Sequence, residues 1–145
     1  MPALRKPTVT IVEDDPILAF LFREICSAGG WRVIGEADCF PDALGLLGQE
    51  LPDLVLIDYL LQGQNDGMEL LAAVKQRWPH VHTTLITGWD IEALSARIDY
   101  VEADTILMKP IAPRVLTAHL DECASASQLL VPERISATIS RMNVI

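Results

Sequence analysis

The stretch TIVEDDPILAF, residues Thr10–Phe20, decides the fold prediction. A short apolar run ends in three consecutive acids, a proline follows, and apolar residues then recur at helical spacing. Asp15 and Pro16 have a local explanation, because aspartate is a favoured N-cap and proline is favoured at the first helical position. Glu13 and Asp14 precede that cap and are not explained by it. Since adjacent acids repel one another, this pair indicates a cation-binding function.

The same alternation of strand and helix continues along the chain. Apolar runs of strand length occupy residues 9–12, 31–37, 54–57, 83–87 and 105–108. Each run precedes a stretch in which apolar residues recur every three or four positions, as they do in an amphipathic helix. Five such units predict an α/β protein whose parallel sheet is covered by helices on both faces.

The expected architecture is a flavodoxin-like, doubly wound (βα)5 fold with strand order 2-1-3-4-5. Gly29-Gly30 predicts the end of the first helix, and the apolar stripe Ile91, Leu94 and Ile98 predicts the fourth helix. Ligands of such sheets bind at the carboxyl ends of the strands, beside strands one and three. Functional residues are therefore expected at that edge.

Composition narrows the class of partner. The chain has 145 residues, of which 50% are hydrophobic, and a formal net charge of −9 without any run of lysine or arginine. That balance argues against direct binding to nucleic acid or an anionic membrane. The cysteines Cys26, Cys39 and Cys123 are widely spaced and predict free thiols. No signal peptide or bilayer-length apolar run is visible, so a cytoplasmic protein is expected.

Polar residues stand at the ends of the predicted strands. Strand three ends in Asp58, strand four in Thr87 and strand five in Lys109. Asp58 is expected beside the acids of strand one, and two carboxylates about 4 Å apart repel by roughly 4 kcal/mol at an effective dielectric of about 20. Such a cluster suits a hard dication such as Mg²⁺. A carboxylate nucleophile with a metal, a hydroxyl and a lysine predicts phosphoryl transfer to Asp58.

These motifs together resemble the receiver domain of two-component response regulators. The resemblance rests on VEDDP at residues 12–16, LVLIDYLLQGQNDGMELL at 54–71, LITG at 85–88 and ILMKP at 106–110. It covers roughly residues 7–125, and it implies a receiver domain over residues 1–126 followed by a tail at 127–145. It also implies a single-domain phosphoacceptor switch of a phosphorelay. Such a switch is not an enzyme and catalyses only its own phosphorylation and dephosphorylation.

The resemblance implies a metal-binding role for four residues. Asp14 and the phosphoacceptor Asp58 would bind Mg²⁺, and Glu13 would do so through water. The backbone carbonyl of Leu60 would be a further ligand. No cofactor other than Mg²⁺ is implied.

The resemblance also assigns the phosphoryl-stabilising residues and the partners. Thr87 matches the hydroxyl residue that bonds the phosphoryl group, and Lys109 matches the lysine that pairs with it. The Lys109-Pro110 peptide is often cis in this family. A histidine kinase or histidine phosphotransfer protein would phosphorylate Asp58. A downstream protein partner, or a second copy of the chain in a homodimer, would bind the surface formed by the fourth helix, fifth strand and fifth helix.

Two features depart from the family pattern. Ile106 occupies the switch position where most receivers have an aromatic residue, and isoleucine is stiff at χ1 and has no hydroxyl. Activation is therefore expected to pass through the loop at Trp89 or to use an altered output face. The loop after Asp58 has Gln62 where a proline is common, and it is one residue longer than usual before Asp66.

The remaining candidates have less specific signals. His80, His82 and His119 are scattered and show no metal-ligand spacing, so surface or partly packed positions are expected. The tail is too short for a helix-turn-helix effector domain. Its residues Ile135, Ile139 and Met142 lie on one stripe of a short amphipathic helix that would bind a second copy or a partner. The alternative is a segment that folds back on the domain or frays. A fragment of a longer protein is the other alternative.

Three functions compete with the phosphoacceptor switch. The first is a phosphorylation-independent receiver-like adaptor, which the isoleucine at position 106 favours. The second is a haloacid dehalogenase-type phosphatase, which needs a second aspartate where this chain has Leu60. The third is flavin binding, which the acidic loop after strand one disfavours because a phosphate would have to bind there.

Overall fold

Ten elements alternate strictly between strand and helix in the computed structural model, which describes residues 5–61 and 66–128. The strands are β1 (Thr8–Val12), β2 (Arg32–Ala37), β3 (Leu54–Asp58), β4 (His82–Thr87) and β5 (Thr105–Met108). The helices are α1 (Pro16–Ala28), α2 (Phe40–Gln49), α3 (Gly67–Arg77), α4 (Ile91–Ser95) and α5 (Pro113–Gln128). The apolar stripe predicted for residues 135–142 lies outside the described residues, and so does Gln62, which stands where the family commonly has a proline.

All five strands pair in parallel in the order β2-β1-β3-β4-β5, which confirms the predicted topology. Successive side chains of a strand point to opposite faces, so each strand contributes to two cores. Val9, Ile11 and Leu56 pack towards α1 and α5, whereas Val55 and Ile57 pack towards α2 and α3. The central strands are consequently buried on both faces, as their continuous apolar runs predict.

Helix α1 begins and ends where the sequence predicts. The Asp15 side chain accepts hydrogen bonds from the N–H groups of Ile17 and Leu18, at 2.8 and 3.4 Å. At the other end Gly30 adopts a φ of 87°, a conformation that side-chain-bearing residues rarely adopt. The Trp31 N–H then donates to the Cys26 carbonyl oxygen at 3.0 Å and closes the helix.

Helix α4 is shorter than its apolar stripe predicts. It ends at Ser95, and Ile98 lies fully exposed beyond it, so the prediction that Ile98 belongs to the buried stripe is wrong. Leu94 is buried, whereas Ile91 is exposed. The chain turns after the helix because the Tyr100 N–H donates to the Arg97 carbonyl oxygen at 3.3 Å. A single turn of helix carries too few residues for a spacing rule to be decisive.

Three further observations concern the cysteines, the end of α5 and membrane spans. Cys26, Cys39 and Cys123 are free thiols, as predicted, and Cys26 is fully buried. Helix α5 continues to Gln128, two residues past the domain boundary expected at residue 126. Within the described part of the chain, no helix combines the length and apolar character needed to span a bilayer.

The start of α3 lies very close to the end of β3, and this contact predicts an effect of mutation. A Cβ atom at Gly67 would lie 2.1 Å from the Asp58 carbonyl oxygen and 2.8 Å from the Tyr59 Cα. Because backbone atoms cannot yield easily, we expect Gly67→Ala to lower the free energy of unfolding by about 1–3 kcal/mol or more. Urea denaturation measures this loss.

The matched control is Gly45→Ala in the exposed part of α2. A Cβ atom there meets nothing within 4 Å. Alanine is the better helix former, so we expect this variant to gain about 0.5–1 kcal/mol. Equal effects of the two substitutions would contradict the close approach at Gly67.

Candidate functional site

The carboxylates of Glu13, Asp14 and Asp58 meet at the carboxyl edge of the sheet. Strand order makes β1 and β3 neighbours, and the register pairs Val12 with Ile57, so the residues that follow lie side by side. One carboxylate oxygen from each of the three acids lies within 4.8 Å of the others. Glu13 is 4% exposed and Asp58 is 3% exposed, so two of these acids are held out of water.

Lys109 provides the positive charge at this cluster. Its Nζ lies 3.0 Å from Asp58 Oδ1 and 3.8 Å from Glu13 Oε1. The Lys109 N–H donates to the Thr87 carbonyl oxygen at 2.7 Å, which holds the end of β5 against the end of β4. The Lys109-Pro110 peptide is cis, as the resemblance implies.

Burial and mutual repulsion set the charge state of Glu13. Desolvation, followed by the neighbouring Asp58, raises the pKa of Glu13 to about 8. Its Oε2 accepts a hydrogen bond from the Asp15 N–H at 3.2 Å. Among the described residues, its buried Oε1 has no hydrogen-bond partner. The site therefore holds more carboxylate oxygen than its own donors satisfy.

The pKa of Lys109 is also raised, which keeps this side chain charged. Burial by itself would lower the pKa of Lys109, but the bond to Asp58 and the charges of Glu13 and Asp14 outweigh it, so the pKa is raised. A permanently charged ammonium therefore faces the acids. At this site one ammonium faces three acidic side chains.

The donor set fits a hard dication. Three carboxylates within reach of one another, one of them with an unbonded buried oxygen, are the ligands that Mg²⁺ prefers. Leu60 follows β3 by two residues, and its side chain is exposed. The carbonyl oxygen of the preceding Tyr59 accepts the Gly67 N–H at 2.9 Å.

Thr87 closes the other side of the site. Thr87 is buried at the end of β4, and its hydroxyl oxygen accepts a hydrogen bond from the backbone N–H of Trp89 at 2.9 Å. The Trp89 ring packs on Tyr59, with centroids 5.7 Å apart and planes inclined by 39°. Since Tyr59 directly follows Asp58, a chain of contacts joins the threonine hydroxyl to the segment that carries Asp58.

An arginine that the sequence analysis did not select completes this chain of contacts. The Arg97 guanidinium donates to the Tyr59 hydroxyl at 2.6 Å and to Asp66 at 2.7 Å. It also pairs with Asp99 and lies 5.3 Å from the centre of the Tyr59 ring. Asp99 is a local partner, but nothing in the pattern around Arg97 indicates the contacts with Tyr59 and Asp66, because those residues come from distant parts of the chain.

Ile106 lies in the position expected for it, three residues before Lys109. It pairs with Leu85 in the β4–β5 ladder and packs, partly buried, against the core on the side of α3. No aromatic ring is present at this point to follow a movement of Thr87. The aromatic contact near Thr87 is instead the one between Tyr59 and Trp89.

A family model supplies the decisive comparison. The model of the response regulator receiver domain matches residues 9–121. The chain belongs to the response regulator receiver family. Its matched region includes the acidic pair, Asp58, Thr87 and Lys109, which are the residues that the structure brings to one edge of the sheet.

This receiver domain is similar to solved structures of the same class. It shares 26% identity with the receiver domain of NtrX from Brucella abortus, with a TM-score of 0.71 over 81% of this chain and 98% of that one. It shares 26% identity with the response regulator PhyR from the same organism, with a TM-score of 0.72 over 87% of this chain and 52% of that one.

Curated relatives are longer proteins. The transcriptional regulatory protein MalR of Bacillus subtilis is 33% identical over 104 residues, which is 70% of this chain and 43% of MalR. The protein-glutamate methylesterase/protein-glutamine glutaminase 3 of Hahella chejuensis is 28% identical over 102 residues, 70% of this chain and 29% of that protein. The receiver domain thus spans less than half the length of both relatives.

The contacts of Arg97 predict a stabilising role for this residue. Its side chain is 21% exposed, so solvent weakens its ion pairs, but the bond to the Tyr59 hydroxyl is lost outright on truncation. We expect Arg97→Ala to lower the free energy of unfolding by about 1–2 kcal/mol. Arg114→Ala, at an exposed position of α5, is the control, with an expected change under about 0.5 kcal/mol. Indistinguishable urea midpoints would contradict this role.

Proposed function

We propose that this receiver domain is a phosphoacceptor switch of a two-component phosphorelay, phosphorylated on Asp58 in a Mg²⁺-dependent reaction. One observation carries the proposal: the buried Asp58 carboxylate lies 3.0 Å from the Lys109 ammonium and in one cluster with Glu13 and Asp14. The protein acts on no other substrate in this role. It catalyses only its own phosphorylation and dephosphorylation.

Asp58 is the nucleophile in the proposed reaction. One of its carboxylate oxygens attacks the phosphorus of the donor, and the bond from phosphorus to the donor's leaving group breaks as the acyl phosphate forms. The leaving group departs with the electron pair of that bond. An ionised carboxylate has no proton to lose, so no general base is required. Lys109 already touches Asp58 and is placed to bind a phosphoryl oxygen.

The magnesium ligands in this proposal are Asp14, Asp58, Glu13 and the backbone carbonyl of Leu60. The bound ion supplies charge neutralisation at the carboxylates and at the phosphoryl oxygens. The unbonded Oε1 of Glu13 and the three clustered carboxylates support this assignment. Thr87, buried at the end of β4, is assigned to bond the phosphoryl group with its hydroxyl.

The partners in this proposal follow from the family. A histidine kinase or histidine phosphotransfer protein donates the phosphoryl group, and a downstream protein reads the result. Exposed apolar side chains support a partner-binding face at α4, β5 and α5: Trp89, Ile91, Met108 and Val115 are each between 42% and 56% exposed. Burying apolar surface of this kind favours protein association.

The decisive experiment is an intact-mass comparison of the wild-type chain with Asp58→Asn. Both are incubated with Mg²⁺ and acetyl phosphate, with parallel samples in EDTA. We expect one phosphoryl adduct on the wild type, no adduct in EDTA and no adduct on the variant. Asp42→Asn, an exposed acid of α2, is the control and should be phosphorylated like the wild type.

The other outcomes separate the metal from the acceptor. An adduct on Asp58→Asn would place the phosphoryl group on another residue and overturn the assignment. An adduct of equal yield in EDTA would overturn the role of Mg²⁺. If no adduct forms although Mg²⁺ raises the melting temperature of the wild type, the acceptor function is contradicted while the metal site stands.

One observation favours a second function, a phosphorylation-independent adaptor. Ile106 has neither an aromatic ring nor a hydroxyl with which to follow Thr87. An adaptor would bind its partner equally well as wild type and as Asp58→Asn, so the partner affinity of these two proteins distinguishes the functions. The contact between Trp89 and Tyr59 supports the switch, because it offers another path from Thr87 to the surface.

The fluorescence of Trp89 tests whether phosphorylation acts through Thr87 on the contact between Trp89 and Tyr59. In this proposal the Thr87 hydroxyl moves towards a phosphoryl oxygen, its bond from the Trp89 backbone N–H lengthens, and the indole shifts relative to the Tyr59 ring. We expect phosphorylation to change the tryptophan fluorescence of the wild type. The change should be absent in Trp89→Phe, which keeps the two other tryptophans.

Thr87→Val is the matched control for the hydroxyl itself. Valine has a similar shape, but it cannot bond a phosphoryl oxygen and it also removes the acceptor of the Trp89 backbone N–H, so the fluorescence of this variant is compared before and after phosphorylation. We expect this variant to be phosphorylated on Asp58 without the fluorescence change. A full change in Thr87→Val would show that Trp89 responds by another route.

A further inference from the structure

Three metal-ligating side chains lie together at the edge of the sheet opposite to Asp58. His82 begins β4, and His119 and Cys123 lie on α5. Since the strands are parallel, their amino ends form the edge farthest from the carboxylate cluster. One ligand atom from each of the three side chains lies within 4.8 Å of the others. The expectation that the histidines are scattered is therefore wrong for this pair, whereas His80 is exposed outside the cluster.

The spacing on α5 brings a thiol and an imidazole onto one side of the helix. Positions i and i+4 are neighbours on a helix surface, and Cys123 Sγ lies 3.6 Å from His119 Nε2 and 3.8 Å from Nδ1. A tetrahedral zinc ion bonded to sulfur at about 2.3 Å and to nitrogen at about 2.0 Å separates those two atoms by about 3.5 Å. The separations of 3.6 and 3.8 Å between Cys123 Sγ and the two ring nitrogens of His119 are close to that value.

Threonine hydroxyls hold both imidazoles. Thr84 Oγ1 lies 2.7 Å from His119 Nε2, and Thr105 Oγ1 lies 3.1 Å from His82 Nε2. A metal-ligating histidine usually has its second ring nitrogen hydrogen-bonded in this way, which fixes the ring and its tautomer. For His119, Thr84 occupies Nε2, so Nδ1, which lies 3.8 Å from Cys123 Sγ, is the nitrogen left to bind a metal.

The charge around the cluster suits a cation. Burial lowers the pKa of both His82 and His119, so both imidazoles are neutral ligands at neutral pH. Burial, then Glu122 and Asp104, raises the pKa of the Cys123 thiol to about 11, so a metal must displace its proton.

The acids near the cluster outnumber the bases. Asp104 and Glu122 act on the ligands from the start of β5 and from α5. Lys75 is the opposing cation and is held by Asp104 at 2.8 Å. A dication in this position would be attracted to both of these carboxylates.

We propose that His82, His119 and Cys123 form a binding site for a thiophilic transition-metal ion, with Zn²⁺ as the expected occupant. A thiolate with two imidazoles is a ligand set that zinc prefers, and water from the partly exposed side completes the tetrahedron. Bound zinc would tie α5 to the amino ends of β4 and β5. The site is separate from the proposed phosphorylation of Asp58 and does not depend on it.

The test uses Co²⁺ as a spectroscopic probe and Zn²⁺ as its competitor. The reduced 145-residue chain is titrated with Co²⁺ in excess Mg²⁺, so that the acidic cluster at Asp58 is already occupied. We expect a thiolate-to-cobalt charge-transfer band at one equivalent, which Zn²⁺ then removes. We also expect Zn²⁺ to raise the melting temperature of the wild type.

Matched variants distinguish this site from others on the chain. We expect Cys123→Ser and His82→Gln to weaken Co²⁺ and Zn²⁺ binding at least tenfold. The controls Cys39→Ser and His80→Gln should bind like the wild type. Cys39 is an apt control because it lies beside Asp38 and Asp42 in a second, more exposed group of ligating side chains.

The contrary outcomes are equally specific. A charge-transfer band that is lost in Cys39→Ser and kept in Cys123→Ser would place the metal at the second group and overturn the proposal. The absence of any band in the wild type would show that the cluster is only a hydrogen-bonded part of the core. A cooperative thermal unfolding transition in the absence of added metal shows that each variant is folded, and His82→Gln, at a partly exposed position, remains the test if Cys123→Ser does not fold.

Discussion

The repulsion between two buried carboxylates is the constraint on which the rest of the structure depends. A strand order that sets β1 beside β3 forces Glu13 and Asp58 together in a place that water barely reaches. One ammonium, that of Lys109, offsets part of this repulsion at 3.0 Å from Asp58. A protein selected for stability alone would replace such a cluster with apolar residues, so its presence indicates that function decides these positions.

The surroundings of the cluster keep it in place. Asp15 is used for the helix cap, which leaves Glu13 and Asp14 directed to the site. Gly67 lets α3 begin directly against the Asp58 backbone, where any side chain would collide with it. Rigid neighbours of this kind matter because phosphoryl transfer depends mainly on positioning and on charges that are already in place.

The sequence predicts best those features that depend on neighbours along the chain. Apolar runs predict all five strands, and the position of Asp58 at the end of β3 follows from them. The prediction fails where partners come from distant segments. The hydrogen bond between Arg97 and Tyr59 joins residues 38 positions apart. The His82 and His119 rings lie 5.7 Å apart because α5 packs against β4, so neither contact leaves a local pattern. The predicted extent of α4 is wrong for another reason, because a helix of five residues is too short for its apolar spacing to show where it ends.

The two clusters at opposite edges of the sheet are chemically independent but mechanically linked. Strand β4 begins with His82 and ends with Thr87, and six residues of strand extend roughly 17–20 Å. Over that distance the charge at one edge acts far more weakly on the other than charges at contact distance within each cluster. The strand itself, however, is hydrogen-bonded to β3 and β5 along its length. A metal ion bound at His82 would therefore restrict the motion of β4, the strand that carries Thr87, without contacting Asp58.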